Sequence, residues 1–307
     1  MEIMTKEPLV SKRFCEDMVE AVQQLLGCQY QVEHILCQKN NGSKKDGLLI
    51  KKEGSNVAPS YHLAPMYEQF KRGYSIMELS RDLVKEYLHS EEEHGKVADE
   101  WSNLSDRSHV LNNVVYRVVN RDLNKGLLET IPYSPIDEDL VKIFYVTAVQ
   151  SNQFRGTMTI TDSFMDSLGL TLAELEEYAE ENTPNLLKPS FKTMGSMLSS
   201  LCSEYEDTET EASMWVLTNE SKMYGASTIF YDGLMESISE LLGSDLYIIP
   251  SSLHEVILMK APLPQFEGFM QSQIRSINSD SSIMSREDVL SDKLYYYKRH
   301  SNLISVV

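Results

Sequence analysis

Gly243-Ser244-Asp245-Leu246-Tyr247-Ile248-Ile249-Pro250-Ser251-Ser252-Leu253-His254-Glu255-Val256-Ile257-Leu258-Met259 decides how the chain is read. Two β-branched apolar runs flank the punctuation Pro250-Ser251-Ser252-Leu253, the pattern of a hairpin buried on both faces. That hairpin is the expected core, with Ile248, Ile257 and Leu258 almost wholly buried. Just upstream, Leu234, Ile238, Leu241 and Leu242 recur at helical spacing from about Asp232, and Gly243 closes the helix. A helix near Phe266 to Ile277 and a tyrosine-rich strand, Leu294 to Lys298, are expected downstream.

The same layout occurs near the start. Phe14, Met18, Val22 and Leu25 lie on one helical face, Gly27 follows, and strands are expected at Tyr30 to Gln38 and Leu48 to Lys52 around the turn signal Asn41-Gly42. The residues of the two copies do not match, so the likeness is one of layout. An irregular segment, Gly54 to Pro65, precedes a helix opened by the capping box Ser75 and Glu78 and carrying Leu79, Leu83 and Tyr87. It runs out into the polar stretch Ser90 to Gly95.

Between these regions the pattern predicts a strand at Val114 to Val119 and a hairpin from Val141 to Val149 and Thr157 to Thr161. Ser151-Asn152 and Gly156 lie between its strands, and Asp162 caps a short helix. A second capping box, Thr171 and Glu174, opens a helix with Leu172, Leu175, Tyr178 and Ala179, which Pro184 stops. An acidic loop, Glu204 to Glu211, and strands at Met214 to Thr218 and Ala226 to Phe230 follow. Hairpins mixed with helices, without a regular βαβ alternation, make an α+β fold. Two modules are expected: a helix-hairpin-helix module at 1–95 and a larger mixed module at 96–307.

At 307 residues, 42% apolar and 24% charged, the chain has the composition of a folded soluble protein. It has no apolar run of the roughly 18 residues that span a bilayer, and its first residues lack a signal peptide's apolar core. A cytoplasmic location is expected. Cys15, Cys28, Cys37 and Cys202 form no Cys-x-x-Cys pair and read as reduced, buried small hydrophobes. The net charge of −18 is unevenly spread. Residues 1–60 carry eight acids and eight bases, whereas 131–307 carry 26 acids against 11 bases. Such a surface disfavours nucleic acid and anionic lipid, and its plainest role is solubility.

His254-Glu255 invites a metallopeptidase reading, but the residue four after His254 is Leu258 and the context is strand, so the two side chains diverge. Ser251, Ser252, His254 and Asp245 hold the residue types of a hydrolytic triad. Triads are assembled from separate elements, and a serine-rich turn bonding its own backbone accounts for these residues. No glycine-rich phosphate loop occurs. His34, His62, His89, His94, His109 and His300 show no ligand spacing, so neither metal nor cofactor is expected. Tyr295-Tyr296-Tyr297 with Lys298-Arg299 could stack bases, yet alternate rings on opposite faces of a half-buried strand fit an acidic protein better. Glu174, Glu176, Glu177, Glu180 and Glu181 read as the wet side of a helix, or, more sharply, as a mimic of DNA phosphates.

Val115-Tyr116-Arg117-Val118-Val119-Asn120, Ala179-Glu180-Glu181-Asn182-Thr183-Pro184, Met214-Trp215-Val216-Leu217-Thr218-Asn219, the Gly243 to Met259 hairpin and Val289 to Tyr297 together resemble a bacterial family, domain-of-unknown-function family 5688. The order of elements from Phe144 to Met259 is also similar to the YtpQ-like proteins, another uncharacterised bacterial family. The resemblance implies an intracellular bacterial protein, with similar members in gut anaerobes, some near mobile-element genes. It supplies no catalytic residues. The functional expectation is a non-catalytic adaptor with a protein partner, in one version an accessory of a mobile element. The alternatives are a hydrolase-like enzyme whose site assembles only in three dimensions, and an acidic DNA mimic.

Overall fold

A computed structural model describes residues 10–54, 58–150, 155–201 and 213–307, with backbone alone at 90–102, 148–150, 155–156 and 198–201. The chain divides into two compact units, 1–106 with 148–156, and 107–147 with 157–307. The fold is α+β, built from helices and antiparallel sheets. The stretch Glu91 to Gly95, expected to mark a module boundary, lies inside a helix, because its acids and single glycine do not interrupt helical hydrogen bonding.

In the first unit α1 (Lys12–Leu26), β1 (Tyr30–Gln38), β2 (Lys44–Lys52), β3 (Ser60–His62), α2 (Ala64–Lys71) and α3 (Ile76–Ser102) follow one another. The strands pair antiparallel in the order β1-β2-β3. The segment expected to be irregular holds, where it is described, β3 and the start of α2. Phe14, Met18 and Val22 of α1, Val32, Leu48 and Ile50 of the sheet and Leu79, Leu83 and Tyr87 of α3 form one buried cluster. Leu25, assigned by spacing to that face, is 39% exposed. The capping box at the start of α3 is formed, Ser75 N–H donating to Glu78 Oε2 at 2.9 Å and Glu78 N–H to Ser75 Oγ at 3.2 Å. Of the cysteines expected to be buried, Cys15 is, whereas Cys37 is half-buried and Cys28, just past the end of α1, is exposed. All three are free thiols.

The second unit comprises α4 (Arg107–Asn113), β4 (Val114–Asn120), α5 (Lys125–Leu128), β5 (Tyr133–Pro135), β6 (Leu140–Gln150), β7 (Arg155–Thr159), α6 (Asp162–Ser167), α7 (Leu172–Leu186), β8 (Pro189–Thr193), α8 (Met194–Leu201), β9 (Met214–Asn219), α9 (Leu234–Leu242), β10 (Asp245–Ile249), β11 (Val256–Ala261), α10 (Pro264–Ser279), β12 (Tyr295–Lys298) and β13 (Leu303–Val306). Six strands form one sheet in the order β13-β12-β10-β11-β9-β8, so the β10–β11 hairpin is central, and β4-β6-β5 with β7 on β6 form another. The acidic stretch Glu204 to Glu211, like Ser151-Asn152, lies outside the described residues.

The hairpin is not buried equally on its two faces. Leu246, Ile248, Val256 and Leu258 share one face and are each 0% exposed. The opposite face carries Tyr247, Ile249, Ile257 and Met259, and Met270 and Ile274 of α10 pack with Tyr247, Ile249 and Met259. Ile257, on that face, is only half-buried, against expectation. The turn spans Pro250 to Glu255 and is longer than its punctuation suggested. Gly243 closes α9 in the left-handed region (φ 67°), as a helix end that feeds a strand requires.

Three further expectations give way. Pro184 lies inside α7, whose last turn is fastened to its neighbours: Asn182 Nδ2 donates to the Leu111 and Val114 carbonyls at 2.8 and 3.0 Å. Gly225–Phe230 is a 3-10 helix, not a strand, and buries Ala226 to Ile229, Ser227 and Thr228 included, so the segment carries no hydrophobic periodicity to read. Thr161, not Asp162, caps α6, its hydroxyl accepting the Phe164 N–H at 3.2 Å.

β4 pairs on one side only, yet its other edge is not open. Tyr116 N–H donates to Thr183 Oγ1 at 3.0 Å and Val118 N–H to Ser227 Oγ at 2.9 Å, so two hydroxyls stand in for a missing strand. Thr183→Val is nearly isosteric but leaves the Tyr116 N–H without an acceptor. It should cost about 1–3 kcal/mol in denaturant unfolding. Ile248→Ala should cost about 2–5 kcal/mol and Ile257→Ala clearly less, in the same assay.

Candidate functional site

His254 is the residue of the central hairpin's turn that the rest of the unit works hardest to place. Leu253, 2% exposed, anchors the turn: its N–H donates to the Asp288 carbonyl at 2.7 Å and its carbonyl accepts the Ala226 N–H at 3.2 Å. The His254 carbonyl takes the Thr218 hydroxyl at 2.7 Å, and its N–H donates to Ser252 Oγ at 3.0 Å. On the imidazole, Nδ1 accepts the Tyr224 N–H at 3.2 Å and Nε2 lies 3.2 Å from Asp288 Oδ1. A backbone N–H can only donate, so Nδ1 is the acceptor and the ring proton sits on Nε2, facing the carboxylate. Both nitrogens are in use. The Tyr224 ring stacks on the imidazole at 5.7 Å, with 27° between planes.

This arrangement needs two unusual backbone positions. Tyr224 itself adopts φ 54°, ψ 28°, a left-handed conformation that a bulky residue rarely takes. Next to it, a Cβ on Gly225 would overlap the Thr218 hydroxyl and lie 2.5 Å from the His254 carbonyl oxygen and 2.7 Å from the Asn219 nitrogen. Asn219, 0% exposed, closes the loop from below, donating from Nδ2 to the Met223 carbonyl at 2.8 Å.

Behind Tyr224 stands Arg117 of β4. Its guanidinium carbon is 4.4 Å from the Tyr224 ring centre and 5.6 Å from that of Tyr145, and the two rings meet edge to face at 5.9 Å. Stacking on ring faces leaves the in-plane N–H donors free for a planar anion. No carboxylate among the described residues pairs with Arg117, and its Nε is buried without an acceptor. The neighbouring floor is apolar: Val115, Tyr145 and Leu187. Arg117, half-buried in the middle of an apolar strand, was not singled out from sequence.

The other sequence candidates fall elsewhere. Asp245, paired in register with Ala261, is at the far end of the hairpin from His254 and accepts the Tyr296 hydroxyl (2.5 Å) and the Arg299 N–H (2.8 Å). These bonds hold the Asp245 carboxyl below its usual range. Ser252 serves its own turn, as expected, and no Ser-His-Asp constellation forms from these residues. Tyr295 and Tyr297, each 2% exposed, face one way and Tyr296 the other, with hydroxyls on Asp139, Asn302 and Asp245. They are sheet residues and not a stacking platform.

The acidic face of α7 is less solvated than its composition suggests. Glu174 pairs with Arg107, Glu176 accepts the Ser134 hydroxyl and Glu180 pairs with Lys142. Near the last pair the Tyr116 hydroxyl is buried without a partner; burial, then the Glu180 carboxylate, push its ionisation upward. His89 borders a cleft of about 400 Å³ with Leu25, Arg81 and Lys85. His62 lies on β3, His109 on α4 and His300 in the β12–β13 turn, while the side chain of His94 and Cys202 lie outside the described residues. His34 is different: its Nε2 lies 2.8 Å from Asp46 Oδ1, and Cys15 completes a group whose ligand atoms lie within 4.8 Å of one another. Among the described residues this is the grouping that could hold a metal ion.

Gly225→Ala should be among the most damaging single substitutions in the unit, since neither the Thr218 hydroxyl nor the His254 carbonyl can retreat without losing their mutual bond. A loss of at least about 3 kcal/mol in denaturant unfolding, or insoluble protein, is expected.

A model of a family of unknown function, DUF5688, matches residues 11–299, and the chain belongs to that family. The likeness to YtpQ-like proteins is not shown by this match. No curated protein and no solved structure matches the chain significantly. No helix among the described residues is long and apolar enough to cross a membrane.

Proposed function

We propose that this DUF5688 member is a non-catalytic binding protein, an adaptor of the bacterial cell interior, whose second unit takes an anionic group of a partner protein on Arg117. The observation that carries the reading is a guanidinium stacked on two tyrosines, with a buried Nε lacking an acceptor and no carboxylate counter-ion among the described residues. A charge half withdrawn from water and left unpaired costs stability, and an incoming carboxylate or phosphate would recover it. In a unit with so many acids, pairing this arginine internally would have been easy.

Three observations weigh against the enzyme alternative. His254 has both nitrogens committed, so no lone pair is offered to a substrate proton. Ser291, which donates to Asp139, is 0% exposed. The buried Cys15 thiol is pushed up to about 11, away from the thiolate that a nucleophile needs. The DNA-mimic alternative loses ground because Glu174, Glu176 and Glu180 hold α7 to its neighbours and do not form an uninterrupted charged stripe.

The test is capture of partners from the native host by the wild-type chain, Arg117→Ala and the double variant Glu177→Gln/Glu181→Gln, read by mass spectrometry. Loss of partners with Arg117→Ala alone is expected, with at least about tenfold weaker binding, the scale of one charge-assisted bidentate contact. Arg117→Lys should rescue poorly, because an ammonium lacks the planar fork. Retention of every partner by a folded Arg117→Ala protein would overturn the reading. Loss with the glutamate variant alone would favour the acidic face instead.

A further inference from the structure

The first unit holds a cluster unrelated to the anion site. Cys15 comes from α1, His34 from β1 and Asp46 from β2, so three elements converge on one point. The hairpin register explains the convergence: His34 pairs with Leu48 and Leu36 with Asp46, which sets His34 and Asp46 diagonally on the face that meets α1. Asp46 is 8% exposed, with Oδ2 accepting the Val10 N–H at 3.3 Å and Oδ1 facing His34. No lysine or arginine among the described residues pairs with it. The thiol beside it is 2% exposed, whereas the His34 side chain keeps 36% of its surface in solvent. The result is a buried carboxylate and a buried thiol, both favouring positive charge, reached through an imidazole at the surface.

We propose that Cys15, His34 and Asp46 bind one divalent transition metal ion of the zinc type, stapling α1 to the β1–β2 hairpin. Thiolate, imidazole and carboxylate are together a zinc-like donor set, and three protein ligands leave a fourth, solvent-filled position on the His34 side. The geometry is within reach. Tetrahedral coordination at ordinary Zn–N, Zn–O and Zn–S lengths spaces the donors by about 3.3–3.6 Å. The 2.8 Å His34–Asp46 contact must open by roughly 0.5 Å. The thiol, whose donor atom is at most 4.8 Å away, must close by little more than about 1 Å. A rotamer adjustment of the surface imidazole opens the first of these distances. Cys37 is no part of the site, because it lies on the other face of β1, against Gly47.

The test titrates Co²⁺ and Zn²⁺ into the full-length chain after treatment with a chelator. One equivalent of Co²⁺ should bind, with a thiolate-to-cobalt charge-transfer band and tetrahedral d–d absorption, and Zn²⁺ should displace it. Cys15→Ser should abolish the charge-transfer band. His34→Ala, at a half-exposed position where loss of fold is not expected, should weaken binding at least about tenfold. Cys28→Ser and Cys37→Ser should change neither. In the wild type, Zn²⁺ should raise the thermal midpoint in a concentration-dependent way; the effect should need at least about tenfold more Zn²⁺ in His34→Ala and be smallest in Cys15→Ser. Absence of the band, its survival in Cys15→Ser, or binding insensitive to His34→Ala would overturn the proposal.

Discussion

A buried backbone donor must be bonded, and the second unit is organised around one strand edge that no strand completes. β4 has β6 on one side. On the other it has hydroxyls: Thr183 from the last turn of α7 and Ser227 from the 3-10 segment. That requirement fixes where α7 ends, and it places the 3-10 segment beside β4. Because the segment begins at Gly225, it also determines how closely Tyr224 and the hairpin turn approach. The placement of His254 is thus a consequence of how the β4 edge is closed. Thr183 bonds twice, accepting from Tyr116 and donating to the Ala179 carbonyl at 2.5 Å, which holds α7 in place up to and past Pro184.

Much of the fold is legible in local pattern. The strand at Tyr30 to Gln38, the two capping boxes and the strands of the Gly243 to Met259 hairpin read correctly because each rests on interactions within a few residues. What fails is what depends on distant partners. Ala226 to Phe230 is buried almost throughout, its Ser227 and Thr228 included, and a run buried on every side has no period by which strand and 3-10 helix can be told apart. Ile257 looks as apolar as Ile248, but it lies on the other face of the hairpin and is only half-buried. Pro184 looks like a stop, and only its attachment to β4 shows why the helix continues.

The site is less legible than the fold. His254 stands out in sequence because of its neighbours Ser251, Ser252 and Glu255, yet its actual partners, Tyr224 and Asp288, are 30 and 34 residues away. Arg117 does carry a signal: it is the single charge in Val114-Val115-Tyr116-Arg117-Val118-Val119, and a charge inside such a run needs a partner. His34 and Asp46 show no ligand spacing along the chain. The register set by the Asn41-Gly42 turn nonetheless brings them together, so a ligand search conducted in hairpin register would find the pair.

The two candidate sites are opposite departures from the charge balance of their surroundings. The unit that holds Arg117 is rich in acids, most of them beyond residue 130, and an arginine that no carboxylate among the described residues pairs with forgoes an easily formed ion pair there. Around Asp46 the sequence is neutral and supplied with lysines, yet no lysine or arginine among the described residues pairs with the buried carboxylate, whose charged neighbour is the His34 imidazole only when that is protonated. Solubility explains neither, since both groups are withdrawn from water. Packing explains neither as well, since an apolar residue of similar volume would avoid the desolvation cost. The missing counter-charge is therefore best sought outside the chain: an anion for the guanidinium, and a metal cation for the carboxylate and its thiol neighbour.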